Sequence, residues 1–203
     1  MLKKLFSLLA LCTSVAFAQT APPAPAAATM RLRGTIEKVD AGTLVLKERS
    51  GETITLVYAD NFSVSEIVPI EIGAIQPGTF IGTAAMPQPD GTLKALQVTV
   101  FPEAARGTGE GSYAWDLQPG STMTNATVAD LIAAPQGRTL KLKYKDGEKT
   151  VVVPADVPIV TFKPGDRALL VPGAKVQITA QLRDGKPTAL RALAGRNGVG
   201  PPM

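Results

Sequence analysis

The chain has 203 residues, 45% of them apolar and 5% aromatic, which suffices for an ordinary core in one domain or two small ones. It holds no His and a single Cys, Cys12; once an N-terminal leader carrying Cys12 is removed, no disulfide, thiolate nucleophile, imidazole base or Cys/His zinc site is available. The formal charge of +4 falls to +2 when Lys3 and Lys4 leave with that leader, a balance that does not drive a protein onto nucleic acid or an anionic membrane.

Residues 1–18 read as the leader. Lys3 and Lys4 precede an apolar run from Leu5 to Phe17, and Ala16-Phe17-Ala18 supplies a small-x-small site, so a signal peptide cut after Ala18 and a periplasmic mature protein are expected. The run is shorter than the roughly 20 residues a membrane-spanning helix needs, and no transmembrane span is expected in the mature chain. Residues 19–29, rich in Pro and Ala, form an extended tether.

From residue 30 the chain alternates in strand fashion. Leu32, Gly34 and Ile36 share one side, and Asp40-Ala41-Gly42 turns into a run holding Leu44 and Leu46. Ser50-Gly51 then turns into a third run, 52–58. Period-two runs bounded by Gly-containing turns predict a three-stranded meander. Residues 60–77 are less regular and predict one short strand and a helical turn near 72–75, stopped by Pro77-Gly78. Strands over 79–85 and 93–101, joined by Pro89-Asp90-Gly91, close the first module at 105.

Residues 106–123 form a junction, 124–196 a second module, and 197–203 a Gly/Pro-rich tail expected to fray. The second module repeats the first. Leu44-Val45-Leu46 is echoed by Leu140-Lys141-Leu142, Gly51-Glu52 by Gly147-Glu148, and Ala59-Asp60 by Ala155-Asp156, all 96 residues on. Thr35-Ile36, Pro77-Gly78 and Asp90-Gly91 find partners in Thr127-Val128, Pro172-Gly173 and Asp184-Gly185 with small drifts. Turn chemistry repeated in order signals duplication. Five short strands with a helical turn before the fourth predict an all-β protein of two tandem OB-like Greek-key barrels, with β-sandwich modules as the alternative.

The runs GTIEKVDAGTLVL (34–46), IQPGTFIGTAAMPQPDG (75–91), FPEAARGTGEG (101–111), WDLQPGSTMTNATV (115–128) and YKDGEKTVVVP (144–154) resemble a family of exported proteobacterial proteins of unknown function with two OB-like repeats. The likeness covers nearly the whole mature chain and implies a fold and a compartment, but no reaction. Some members of that family carry the label of a metal ABC transporter permease, which this chain does not support, having no apolar run of spanning length after the leader.

The junction carries the weak candidate site. Trp115, the only Trp, lies beside Asp116 and two residues from Tyr113, with Arg106 and Glu110 upstream; aromatic faces stack on flat ligands and carboxylates accept from hydroxyls. The favoured reading packs Trp115 between the modules and leaves Asp116 to cap a turn; it predicts that the segment between Phe101 and Val128 lies along both modules with Trp115 largely buried, fixing their relative orientation. Gly107, Gly109 and Gly111 lack the helix start and Lys of a phosphate loop and read as a flexible crossover. Glu103, Glu110 and Asp116 match no calcium-loop spacing, so no metal and no cofactor are expected. Arg138, Lys141, Lys143 and Lys145 make a basic stripe that an anionic polymer can meet, or a solvated strand face that resists edge pairing. Asn125-Ala126-Thr127 fits a glycosylation acceptor, set aside for a bacterial envelope protein.

No catalytic residue is assigned. The expected function is a non-enzymatic periplasmic binding or interaction protein for an envelope ligand or protein partner. The alternatives are a carboxylate enzyme on an envelope glycan, using Asp116 with Glu110 or Glu103 held across one cleft, and a structural protein bridging envelope partners.

Overall fold

The computed structural model describes residues 28–134 and 137–203; the expected leader and residues 19–27 of the tether lie outside them. The described residues are all-β, with twelve strands: β1 (Thr29–Val39), β2 (Thr43–Glu48), β3 (Thr53–Pro69), β4 (Phe80–Pro87), β5 (Leu93–Val100), β6 (Gly111–Ala114), β7 (Thr122–Ala134), β8 (Gly137–Tyr144), β9 (Gly147–Pro154), β10 (Ile159–Pro164), β11 (Lys175–Arg183) and β12 (Lys186–Gly195). Single 3₁₀ turns occupy Ile72–Ala74, Glu103–Ala105 and Arg167–Leu169.

The alternation seen in the sequence sets the faces. Leu44 and Leu46 on β2, like Leu140 and Leu142 on β8, are fully buried, while Lys141 and Lys143 between and beside the latter point to solvent. The β11–β12 hairpin closes through two residues, Asp184 and Gly185, with φ of 49° and 74°. Two successive positive φ angles define the turn whose twist matches paired strands, which is why Asp-Gly stands there.

Two five-stranded rings close. In the first, β1 pairs with β2 and β11, β3 with β2 and in parallel with β12, and β11 with β12. In the second, β7 pairs with β8 and β4, β9 with β8 and in parallel with β5, and β4 with β5. Each has the strand order of an OB-like barrel, and closure removes the edges that a sandwich would leave.

The rings do not follow the sequence modules 30–105 and 124–196. The first ring joins the meander β1–β3 to the hairpin β11–β12, and the second joins the meander β7–β9 to the hairpin β4–β5. The two repeats have exchanged their closing hairpins within one chain. Their barrel plugs are exchanged as well. Leu169, at the end of the second repeat's 3₁₀ turn, and Leu170 after it pack with Ile36, Leu46, Leu56 and Ile178 in one core. Ile75, beside the first repeat's turn, packs with Ile81, Val98, Val128 and Leu142 in the other.

The cause is the length of β3. The region expected to be irregular after residue 60 instead continues the strand, with a register shift where β3 advances from Tyr58 to Ser63 against Ala189 and Arg191. The chain thereby leaves its own meander instead of folding back, as in hinge-driven domain swapping. Beyond the shift, β3 meets its repeat equivalent β10 in antiparallel register, Ser65 opposite Pro164 and Val68 opposite Thr161. Positions 65 and 161, and 68 and 164, are 96 apart in the sequence, so this pairing marks a pseudo-twofold axis between the rings.

Two further expectations change. The Gly107–Gly111 stretch, expected to be a flexible crossover, runs into β6, which pairs with the first half of β7 from Gly111–Asn125 to Ala114–Thr122, so the junction lies along the fold as its large apolar residues predict. Nor does the tail fray: Pro201 is buried, and Arg196 ties the segment to Glu66 at 3.1 Å.

Candidate functional site

Between the rings, along the pseudo-axis, lies a cavity of about 150 Å³. Its walls come from both rings: Gly82 and Ala84 on β4, Met123 and Asn125 on β7, Arg33 on β1, and Gln177 and Leu193 on β11 and β12. Ile67 and Phe162, opposite one another in the β3–β10 pairing, line it too, as do Phe101, Tyr113, Trp115 and tail residues Pro201 and Pro202. Outward-facing strand positions that would otherwise meet water are thus turned toward the other barrel. The lining is predominantly apolar with a few polar groups, the usual make-up of a small-molecule site.

Edge-to-face aromatic contacts, Phe80 to Phe101 at 5.4 Å and Phe101 to Phe162 at 5.9 Å, brace one wall. Gly82 is required there. A side chain at that position would run into the Asn125 Oδ1 atom and the Phe101 ring.

Arg33 is the buried charge of the site, with a relative exposure of 1%. Its Nη1 stands 2.9 Å from Asp116 Oδ1, and Arg31 Nε is 3.3 Å from Asp116 Oδ2. Arg49 donates to the main-chain carbonyls of Asp116, at 2.5 Å, and Leu117, at 2.7 Å. Two guanidinium groups therefore converge on one carboxylate, and the third holds the main chain that carries it. The loop bearing it is held by Ser121, whose main-chain carbonyl accepts from Trp115 N at 2.8 Å and whose hydroxyl lies 3.0 Å from the Trp115 carbonyl. The Arg31 guanidinium stacks 3.9 Å from the Trp115 ring centroid, and Tyr113 tilts toward the same ring at 6.1 Å.

Burial lowers the Arg33 pKa, partly offset by Asp116, but an arginine remains charged at any physiological pH. For Asp116, burial pushes upward and the Arg33 and Arg31 charges outweigh it, so its carboxyl titrates below the ordinary 3.8. Arg33 Nε and Nη2 have no protein hydrogen-bond partner, and neither has Asn125 Oδ1. The Asn125 amide is oriented by its other end, which donates to Thr108 O at 3.1 Å and Tyr113 Oη at 3.3 Å. Buried polar groups are nearly always paired, so three unpaired ones beside one cavity call for an explanation.

Of the residues expected at the junction, Tyr113, Trp115 and Asp116 do come together. Trp115 is half-buried rather than largely buried: it sits at the rim, lining both the cavity and a shallow cleft with Asp116, Leu117 and Arg49. Arg106 and Glu110 are occupied elsewhere. Arg106 pairs with Glu103 at 2.6 Å and donates to Gly78 O, while Glu110 accepts from the main-chain N–H of Lys145 at 3.0 Å. The three carboxylates Glu103, Glu110 and Asp116 thus hold separate partners. Among the described residues no cluster of three or more Asp, Glu, His or Cys forms.

On the second ring, Arg138 donates to Ile75 O at 3.1 Å and so clamps the barrel plug. Lys141, Lys143 and Lys145 are exposed, with Asp130 and Glu148 beside the first two in strand register; none of the four lines the cavity.

Arg31, Arg33 and Phe162 belong to no motif in the sequence, and Asn125 stands out there only as part of a glycosylation-acceptor pattern. One signal was present: the repeat that aligns Thr35-Ile36 with Thr127-Val128 also aligns Arg33 with Asn125, two polar residues at one strand position. Their cross-strand partners, Gln177 and Gly82, are likewise repeat equivalents.

Fold and site together define an all-β protein of two OB-like barrels with a shared cavity at their seam. Comparison with protein-family models, curated proteins and solved structures finds no match.

Proposed function

We propose that this chain is a non-enzymatic binding protein of the bacterial periplasm whose ligand site is the cavity between the barrels. The observation that carries the reading is the set of unpartnered buried polar atoms, on Arg33 and Asn125, around a mostly apolar cavity that Gln97, Thr99 and Gln177 also line. A purely structural seam gains nothing from leaving such groups unpaired, whereas a recognition site uses them to orient a ligand. The exchange of hairpins supports it, since a seam locked by two interlinked rings keeps a site preformed. Against the carboxylate enzyme stands the separation of Glu103, Glu110 and Asp116 into unrelated contacts, because acid and base roles need two carboxyls across one cleft. Periplasmic placement rests on the leader signals of residues 1–18, and no helix among the described residues is long and apolar enough to cross a membrane.

The test is a thermal-shift screen of the protein lacking residues 1–18 against small organic acids, alcohols and amines, glycans, peptidoglycan fragments and divalent metals. It is run in parallel on Ala84→Leu, which pushes a larger side chain into the cavity. Ligands that raise the midpoint of the parent protein and not of the variant support the site. Stabilisers acting equally on both place binding elsewhere and overturn it.

A further inference from the structure

We infer that the seam cavity selects a small organic anion, a carboxylate on a flat apolar body, with Arg33 as its anchor; the inference rests on the site proposed above. Size comes first. A cavity of about 150 Å³ lined mostly by aliphatic and aromatic side chains accommodates a body of roughly benzene size. Phe101, Phe162 and Met123 offer that body faces and edges to pack against.

Charge comes second. Arg31, Arg33 and Arg49 gather at the rim around Asp116, with Glu48 3.7 Å from Arg49 as the one further acid in contact. Three cations face two carboxylates, so the site keeps a net positive charge in a partly desolvated place, where an anion is attracted more strongly than in water. A cationic ligand meets repulsion there.

Geometry comes third. Asp116 takes the Nη1 corner of Arg33 and leaves Nε and Nη2 without partners. Those two nitrogens form one edge of the planar guanidinium, the edge that presents two parallel N–H bonds to a carboxylate. Both nitrogens are buried, and the Trp115 ring, 5.7 Å from the Arg33 guanidinium and carried on the rim loop, is the neighbour we assign as the one a ligand displaces to reach that edge. Asn125 Oδ1, unpartnered on the opposite barrel, accepts from a hydroxyl or amide on the ligand's other end. Trp115 is both gate and reporter, being the only Trp of the chain.

The experiment titrates the protein with benzoate, benzyl alcohol and benzylamine at constant ionic strength, following Trp115 emission, in the parent protein, Arg33→Met and Arg31→Gln. The expected result is saturable benzoate binding with a midpoint at least about ten-fold below that of benzyl alcohol, the discrimination given by a charge-assisted hydrogen bond. Benzylamine should be weakest. In Arg33→Met the benzoate and benzyl alcohol midpoints should converge. Should that variant fail to fold by circular dichroism, Arg31→Gln, at the exposed rim, should still weaken benzoate a few-fold and leave benzyl alcohol unchanged. Benzyl alcohol or benzylamine binding as tightly as benzoate overturns the anion assignment while leaving the seam as the site. Silence of all three also overturns it, while the seam itself falls if stabilisers from the wider screen leave Trp115 unmoved or act equally on Ala84→Leu.

Discussion

Cutting the chain between its repeats should not separate them. A protease recognition sequence placed in the exposed stretch at Pro102–Ala104 divides the protein into β1–β5 and β6–β12, and each ring then contains strands of both fragments. The first fragment commits Ile75, Ile81, Leu93 and Val98 to the second core, and the second fragment commits Leu169, Leu170, Val176 and Ile178 to the first. At roughly 1.5–3 kcal/mol per fully buried large aliphatic side chain, these eight alone contribute about 12–24 kcal/mol gross. The midpoint of that range, about 18 kcal/mol, exceeds the roughly 4–15 kcal/mol that association costs, before any ladder hydrogen bond is counted. The nicked protein should therefore elute at the intact size in native chromatography and run as two bands on a denaturing gel. Its unfolding midpoint should become dependent on protein concentration, as for any dissociating pair. Two half-sized species eluting separately under native conditions would refute the exchange and show that each repeat closes its own barrel.

Trp115→Ala should cost about 2–3 kcal/mol by denaturant unfolding followed by circular dichroism, since half of an indole's roughly 200 Å² is lost at ~25 cal/mol/Å², together with the Arg31 stack; a cost below about 0.5 kcal/mol would show the ring free in solvent. Arg33→Met should lower stability by about 1–3 kcal/mol, because losing the 2.9 Å pair with Asp116 outweighs relief of two unpaired buried N–H groups while Arg31 still faces the carboxylate; no loss in a urea titration would show that the pair contributes nothing. Acid should loosen the rim: the Asp116 carboxyl has a folded pKa below 3.8, so its stabilisation is complete above that value and is lost as pH falls through the lower folded one. Asp116→Asn should flatten the midpoint-against-pH curve in that window, and an unchanged curve would contradict the ion pair. Arg138→Ala should lower stability by about 1.5–3 kcal/mol through loss of the charged hydrogen bond that holds the Ile75 plug, read by the same unfolding assay.

Much of the strand pattern was legible because alternation and turns are local. The hairpin corners at Gly51, Asp90-Gly91 and Asp184-Gly185, the 3₁₀ turn beginning at Ile72, and the duplication at a spacing of 96 all appear where residue order placed them. Which hairpin closes which ring was not legible. Two copies with the same inward pattern satisfy either ring, and the choice falls to whether β3 turns back after Tyr58 or runs on to Pro69, a tertiary decision with no local signature. The site divided in the same way. Tyr113, Trp115 and Asp116 lie close in sequence and stay close in space, whereas Arg31 and Arg33 reach Asp116 from more than 80 residues away. A buried arginine on a strand otherwise reads as an exposed one, since Arg is mostly exposed, and only the second barrel covers it. Arg106 and Glu110 were drawn in by proximity along the chain, yet the turn of residues 107–111 carries them to other partners.

The central claim, that ligands enter at the seam beside Trp115, is tested most directly by a ¹⁵N-correlation spectrum. With one Trp in the chain, a single indole N–H resonance reports the rim. Titration with each compound that stabilises the protein should shift that resonance together with the Asn125 side-chain amide and the amides of Gly82 and Phe162. An indole signal that stays fixed while amides of the β8 basic face around Lys141 and Lys143 move would contradict the account and transfer the site to the outer surface of the second barrel.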